Sequence, residues 1–315
     1  MLYQFLSEKF NDIIDKDKHT VLWSGCGEVK RMSLDGQDVV VKYSQVPKQL
    51  AHRHIEQSDF ALSRKLKSYA VELQFYQQHS SSIQKQCAIP KLIFTAQQDN
   101  STCLVLRDFN KDGFVQHTDL SLKQHHAILS WLAHFHSRSL NRYQGIGWQQ
   151  GGYWHLATRP DELQRMQHHA LKTHVQHINA LITECRYKCT IHGDAKAANF
   201  ALNDALEVIG YDFQYVGAGV GVQDVMLYFT SVFDESSLYA YADELLAFYF
   251  SQLVSQLEAL LSEQQALDIV SHWQALWPLV WADFHRFLLG WKPDHFKINQ
   301  YMLEHTSFTL SQVRQ

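Results

Sequence analysis

A basic surface is missing from this chain. Its 28 Lys and Arg stand against 32 Asp and Glu, a net charge of −4, so the concentrated positive face that nucleic-acid binding needs is not expected. No stretch approaches the roughly 20 apolar residues that cross a bilayer. The opening "MLYQFLSEKFNDIIDKDKH" interleaves acids and lysines with its apolar residues. It therefore lacks the basic start and unbroken apolar middle of a secretory signal. A cytoplasmic protein is expected, with no membrane and no protein partner implied. The five cysteines, at 26, 87, 103, 185 and 189, are odd in number, widely spread and form no CxxC pair. Reduced, mostly buried thiols follow. Internal repeats and low-complexity tracts are also absent.

What is present suits an ordinary globular protein. Its 315 residues, 46% apolar and 19% charged, allow one large domain or two modest lobes around a sizeable core. Nineteen histidines raise the question of a metal. The densest run, "MQHHALKTHVQHINAL" (166–181), can place His174 and His177 on one helix face. No carboxylate or cysteine in the run completes a ligand set, so a solvated helix face is expected instead.

Patterning changes along the chain. "VLWSGCGEVKRMSLDGQDVVVKYS" (21–44) reads as strand, glycine turn, strand, Asp35-Gly36 hairpin turn, strand. A helix follows, with Leu66, Tyr69, Ala70, Leu73 and Tyr76 at helical spacing. Residues 88–109 read as two strands joined by a polar turn at 97–102. From about 118 helical patterns dominate, interrupted by a loop region at 189–222. The expected architecture is a small sheet-rich lobe, 1–108, and a larger helical lobe, 109–315, joined near Arg107 to Gly113.

Chemistry concentrates in "IHGDAKAANF" (191–200). An acid (Asp194), a cation (Lys196) and an amide (Asn199) crowd one loop between apolar runs. Eighteen residues after Asp194 stands Asp212, at the end of a strand-like run. "NFALNDALEVIGYD" between them reads as a hairpin turning at Asn203-Asp204, which would return Asp212 towards Asn199. An amide oxygen and a carboxylate are hard ligands suited to Mg²⁺. Asp194 is then free to orient and deprotonate an acceptor hydroxyl, the division of labour that phosphoryl transfer needs. In the first lobe Glu72 shares a helix face with Tyr69 and Tyr76. A carboxylate on that apolar side needs a cation, and Lys42, ending the apolar strand "VVVKY", is the one suited to it; the alternative is a solvent-exposed glutamate beside the stripe.

"HGDAKAAN" followed by "YDFQ" resembles the motifs of the aminoglycoside phosphotransferase and choline kinase superfamily. More narrowly it is similar to the ecdysteroid-kinase-like branch. The resemblance implies an α+β, protein-kinase-like bilobal fold and transfer of the ATP γ-phosphate to a small-molecule hydroxyl, with ATP and Mg²⁺ as cofactors. It matches Lys42 to the lysine that holds the α- and β-phosphates, and Glu72 to its helix partner. Gly25 and Gly27 match a phosphate-covering turn, and "LVLRDF", with Arg107 and Phe109, the adenine-binding hinge. Asn199 and Asp212 match the metal ligands, Asp194 the catalytic acid, and Lys196 a loop lysine reaching the γ-phosphate, with a solvated lysine as the alternative. Asp224 matches a carboxylate that brace the catalytic loop, though helix capping also explains an Asp there. His192 is expected to scaffold the loop.

Some positions depart from the pattern. The turn Ser24-Gly25-Cys26-Gly27 lacks a third glycine, Arg107 stands where relatives commonly carry an acid, and Gln214 stands where protein kinases have glycine. Trp277, Trp281, Phe284 and Trp291 could box a cationic substrate, but their spacing favours one buried helix face. A protein kinase is disfavoured, because the eleven residues between Asp212 and Asp224 are too few for a peptide-docking segment. A nucleotide-binding protein without turnover is the remaining alternative.

Overall fold

The computed structural model describes residues 1–21, 25–46, 58–83, 87–142 and 145–313. In chain order its elements are α1 (Leu2–Ser7), β1 (Ile13–Val21), β2 (Gly27–Leu34), β3 (Gln37–Gln45), α2 (Asp59–Ile83), β4 (Leu92–Gln98) and β5 (Ser101–Arg107). There follow α3 (Leu122–Arg138), α4 (Pro160–Arg165), α5 (His169–Thr183), β6 (Cys189–Ile191), β7 (Phe200–Leu202), β8 (Val208–Gly210) and β9 (Gly217–Gly219). The chain ends in α6 (Val222–Val232), α7 (Glu235–Glu258), α8 (Glu263–Trp291) and α9 (Gln300–Val313). Two compact units result, residues 1–115 with 201–214, and residues 116–200 with 215–315.

In the first unit an antiparallel sheet runs in the order β1-β2-β3-β5-β4. Two tight turns set its register. Asp35 and Gly36, both at positive φ, close the β2–β3 hairpin, as an Asp-Gly pair does where the turn must match strand twist. Asp99, also at positive φ, closes β4–β5. The first strand starts at Ile13, ahead of the expected Val21. Its sequence, "IIDKDKHTV", is charged because it lies at the sheet edge, where charge discourages pairing with other chains. One face of the sheet (Met32, Val39, Val41, Val105) packs on Leu2, Phe5 and Leu6 of α1.

The stretch 201–214, expected with the C-terminal part, packs with the first unit instead. Gly210 donates its N–H to Ala88 O at 3.1 Å, and the Phe213 ring stacks on Phe75 at 4.3 Å. The hairpin of β7 and β8 is present. Its turn spans 203–207, where Asn203 Oδ1 accepts the Glu207 N–H at 2.9 Å.

The second unit is built around α6, buried from Val222 to Thr230, as suits a helix apolar on nearly all sides. Helices α3, α7 and α8 pack about it. Trp277, Trp281 and Phe284 of α8 are core residues, while Trp291 is 40% exposed. In α5 His177 is exposed. Among the described residues no group of three metal-binding side chains forms, all five cysteines are free, and no helix is long and apolar enough to cross a membrane.

Candidate active site

In the first unit the sheet delivers Lys42 to two carboxylates. Its ammonium lies 2.7 Å from Glu72 Oε2 on α2 and 2.6 Å from Asp212 Oδ1. Burial by itself would lower the Lys42 pKa, but Asp212 and Glu72 outweigh it and hold the ammonium above its ordinary range. Burial pushes Glu72 up to about 7 against the pull of Lys42, with the Asp212 charge adding to the rise. Two carboxylates share one ammonium, so with both ionised one negative charge is left over. A cation would offset it, and carboxylate oxygens are hard ligands of the kind Mg²⁺ takes.

Asp212 sits at φ 69°, a left-handed conformation that Asp tolerates better than most residues. Gln214, where a glycine would allow the segment to flip, instead ties it down. Its Nε2 donates to Asp212 Oδ1 at 2.6 Å, and its Oε1 accepts from Ser68 Oγ of α2 at 3.3 Å. Sequence reasoning noted Gln214 only as a departure. Both partners precede it in the chain, Asp212 by two residues and Ser68 by 146, the second beyond any local pattern.

Gly25 is at φ 68° with open space where a side chain would be. Gly27 has a different need: a Cβ there would lie 2.1 Å from Tyr43 O, so the close approach of β2 to β3 demands glycine. Ser24 lies outside the described residues. At the hinge segment, Arg107 donates its backbone N–H to Lys91 O at 2.9 Å and Asp108 to Asp38 O at 3.2 Å. Both amides are thus committed within the unit. The Arg107 guanidinium turns to Asp112 at 2.7 Å, and the Phe109 ring lies 5.1 Å from that of Tyr211.

In the second unit β6 pairs with β9, Ile191 opposite Gly217, and the chain leaves β6 into the loop. Gly193, at φ 76°, would place a Cβ 2.0 Å from Tyr215 O, so glycine is required before Asp194. Asp194 itself is 8% exposed. Its Oδ2 accepts from Lys196 Nζ at 2.9 Å and from Asn199 Nδ2 at 3.1 Å. Asn199 Nδ2 also donates to Asp194 O at 2.7 Å. With its amide nitrogen spent inside the loop, Asn199 has its carbonyl oxygen left for a cation. Lys196 is 42% exposed beyond its ion pair. His192 is fully buried, and its Nδ1 accepts the Asp194 N–H at 3.3 Å.

Asp224 is not the cap of α6, a place held by Gly221. It lies within the first turn and accepts from the loop: His192 N at 2.6 Å and Gly193 N at 2.9 Å. His136 of α3 reaches the same carboxylate at 3.0 Å and bonds Tyr249 of α7 through its other nitrogen. Asp224→Ala is expected to cost about 3 kcal/mol of folding stability, because two buried amides and an imidazole lose their partner together. Chemical denaturation beside the parent checks this. A cost under about 1 kcal/mol removes Asp224 as the brace of the loop.

The first unit thus presents a largely buried lysine with two acids, and the second an Asp-Lys-Asn loop. Residues 36–147 and 149–262 match the profile of the ecdysteroid kinase-like family. The chain belongs to that family. The family resemblance extends to structure. An aminopropanol kinase associated with a microcompartment is 12% identical over 98% of this chain and 93% of its own, with a TM-score of 0.53. An aminoglycoside-3'-phosphotransferase of type VIII is 13% identical over 87% and 97%, at 0.48. A choline kinase from Streptococcus pneumoniae is 9% identical over 99% and 96%, at 0.46. No curated protein matches in sequence. This ecdysteroid kinase-like chain has the fold of the protein-kinase-like small-molecule kinases, a sheet-bearing N-terminal part followed by a mostly helical remainder.

Proposed function

We propose that the protein is an ATP-dependent small-molecule kinase that phosphorylates an alcohol. The observation that carries the reading is the Lys42–Glu72–Asp212 cluster, one ammonium held between the buried Glu72 carboxylate and the partly exposed Asp212 carboxylate, within a chain of this family. Lys42 binds the α- and β-phosphates, and Glu72 fixes its position. Gly25 and Gly27 let the turn cover the phosphates, and segment 107–109 receives the adenine edge, with Phe109 and Tyr211 as apolar surface. Because the Arg107 and Asp108 amides are committed, carbonyl oxygens carry more of that contact.

Asn199 and Asp212 would hold Mg²⁺, which when bound neutralises phosphate charge. Asp194 orients the acceptor hydroxyl and takes its proton as the oxygen bonds to the γ-phosphorus. The bond from the γ-phosphorus to the β–γ bridging oxygen breaks, and ADP leaves with both bonding electrons. Lys196 already sits on the Asp194 carboxylate and is placed to follow the transferred group's charge. Location in the cytoplasm belongs to the same reading.

The test is ATP consumption across amino alcohols, sugars, aminoglycosides and sterols, with and without Mg²⁺. Mg²⁺-dependent ADP formation with at least one alcohol is expected. ATP binding without consumption on any acceptor class would leave a nucleotide-binding module instead.

A further inference from the structure

Beside the Asp194 loop the second unit holds a cavity of about 590 Å³, between the C-terminal end of α6, the first turn of α7 and residues 296–299. That size is in the range of small-molecule sites. It adjoins the loop directly: Ser231, which lines it, accepts the Ala197 N–H at 2.9 Å. Lys297 lines it too, and the charges of Asp194 and Lys196 both act on its amine.

Lys297 is the unusual member. Its ammonium donates to Thr230 Oγ1 at 3.3 Å and stands 5.9 Å above the Phe284 ring. Among the described residues no carboxylate forms an ion pair with it. The two acids on the cavity wall are already occupied. Asp234 caps α7 by accepting the Ser237 N–H at 2.8 Å, and Glu235 accepts the Gln300 N–H at 2.8 Å. Burial pushes the Lys297 amine down to about 8, with Asp194 pulling upward and Lys196 downward. A half-buried cation with no carboxylate in direct contact is costly, and an anionic ligand group would relieve that cost. Phe233, Leu238 and Phe296, the last 82% exposed, offer an apolar surface alongside.

We propose that this cavity is the acceptor subsite and that it takes an alcohol bearing a carboxylate, with Lys297 holding the carboxylate and the apolar body lying on Phe233, Leu238 and Phe296. The inference rests on the kinase reading. It adds a preference that the fold does not impose: the acceptor is selected for negative charge, and an amine in the same place would meet Lys297 as a like charge.

Three alcohols of one length separate the possibilities: ω-hydroxyoctanoate, octanediol and ω-amino-octanol. Each is titrated calorimetrically into the full chain without nucleotide, using the parent, Lys297→Met and Lys297→Arg. The parent is expected to bind the carboxylate at least about tenfold more tightly than the diol, the scale of one charge-assisted contact, and the amine most weakly. Lys297→Met should erase that preference while leaving diol affinity within about twofold, and Lys297→Arg should keep it. Equal binding of all three, best binding of the amine, or no binding by the parent overturns the proposal. So does a preference that survives in Lys297→Met. ATP consumption is measured separately. Consumption with other alcohols but no carboxylate preference overturns the Lys297 inference alone. Carboxylate preference without consumption on any alcohol overturns the kinase reading, and the acceptor assignment with it.

Discussion

Asp194→Asn is expected to lower turnover by roughly 10²–10⁴, the usual scale for losing a positioned general base, while Mg·ATP affinity stays within about twofold. The substitution keeps the shape of the side chain and removes its charge and basicity. An amide oxygen at 194 can still accept from Lys196, which now lies 2.9 Å from Oδ2. The Asn199 bond to the Asp194 backbone oxygen, at 2.7 Å, does not depend on the side chain at all. The loop should therefore hold, with the Asp224 bonds to His192 and Gly193 untouched. Steady-state rates on an acceptor from the screen, with nucleotide titration of both proteins, give the answer. Near-normal turnover would sink the base assignment. Equal loss of rate and nucleotide affinity would make Asp194 a metal ligand or a determinant of the loop.

Asp212→Asn should abolish the Mg²⁺ dependence of ATP binding, weakening Mg·ATP by about 10²-fold or more, since a directly ligating carboxylate is lost rather than an outer support. Asparagine is the better test than alanine here. Position 212 has a φ of 69°, which Asn adopts readily and Ala resists, so Asp212→Ala would mix backbone strain with charge loss. Lys42 keeps its 2.7 Å partner Glu72 in the variant, and the cluster becomes one cation with one anion. Binding of ATP in the presence of chelator should accordingly change little. Calorimetric titration with Mg²⁺ and with chelator separates the two. Unchanged Mg·ATP affinity would remove Asp212 from the metal role.

Much of the fold was legible because its signals are short in range. The Asp35-Gly36 pair announces a two-residue hairpin from two side chains. The run from Tyr69 to Tyr76 declares a helix face, and a carboxylate among those aromatics calls for a cation such as Lys42. The β7–β8 hairpin was visible in the same way, although its turn is wider than Asn203-Asp204, because the Asn203 side chain bonds four residues on to Glu207. The early start of β1 was not legible. An edge strand with charged residues carries the composition of a loop.

The sequence by itself therefore determined the sheet-then-helix order, the family motifs and the residue types available for phosphoryl transfer. The tertiary structure decided what each polar group meets. Gln214 meets Asp212 and Ser68, Asp224 meets the amides ahead of Asp194, the Arg107 amide is spent on Lys91, and 201–214 joins the first unit. Lys297, about a hundred positions from Asp194, comes within reach of its charge. The physical reason is one of range. Propensity, turn chemistry and periodicity act over a few residues, whereas the hydrogen bonds and ion pairs of a buried site join residues far apart in the chain. Those are settled only once the core has packed and every buried polar group has had to find a partner.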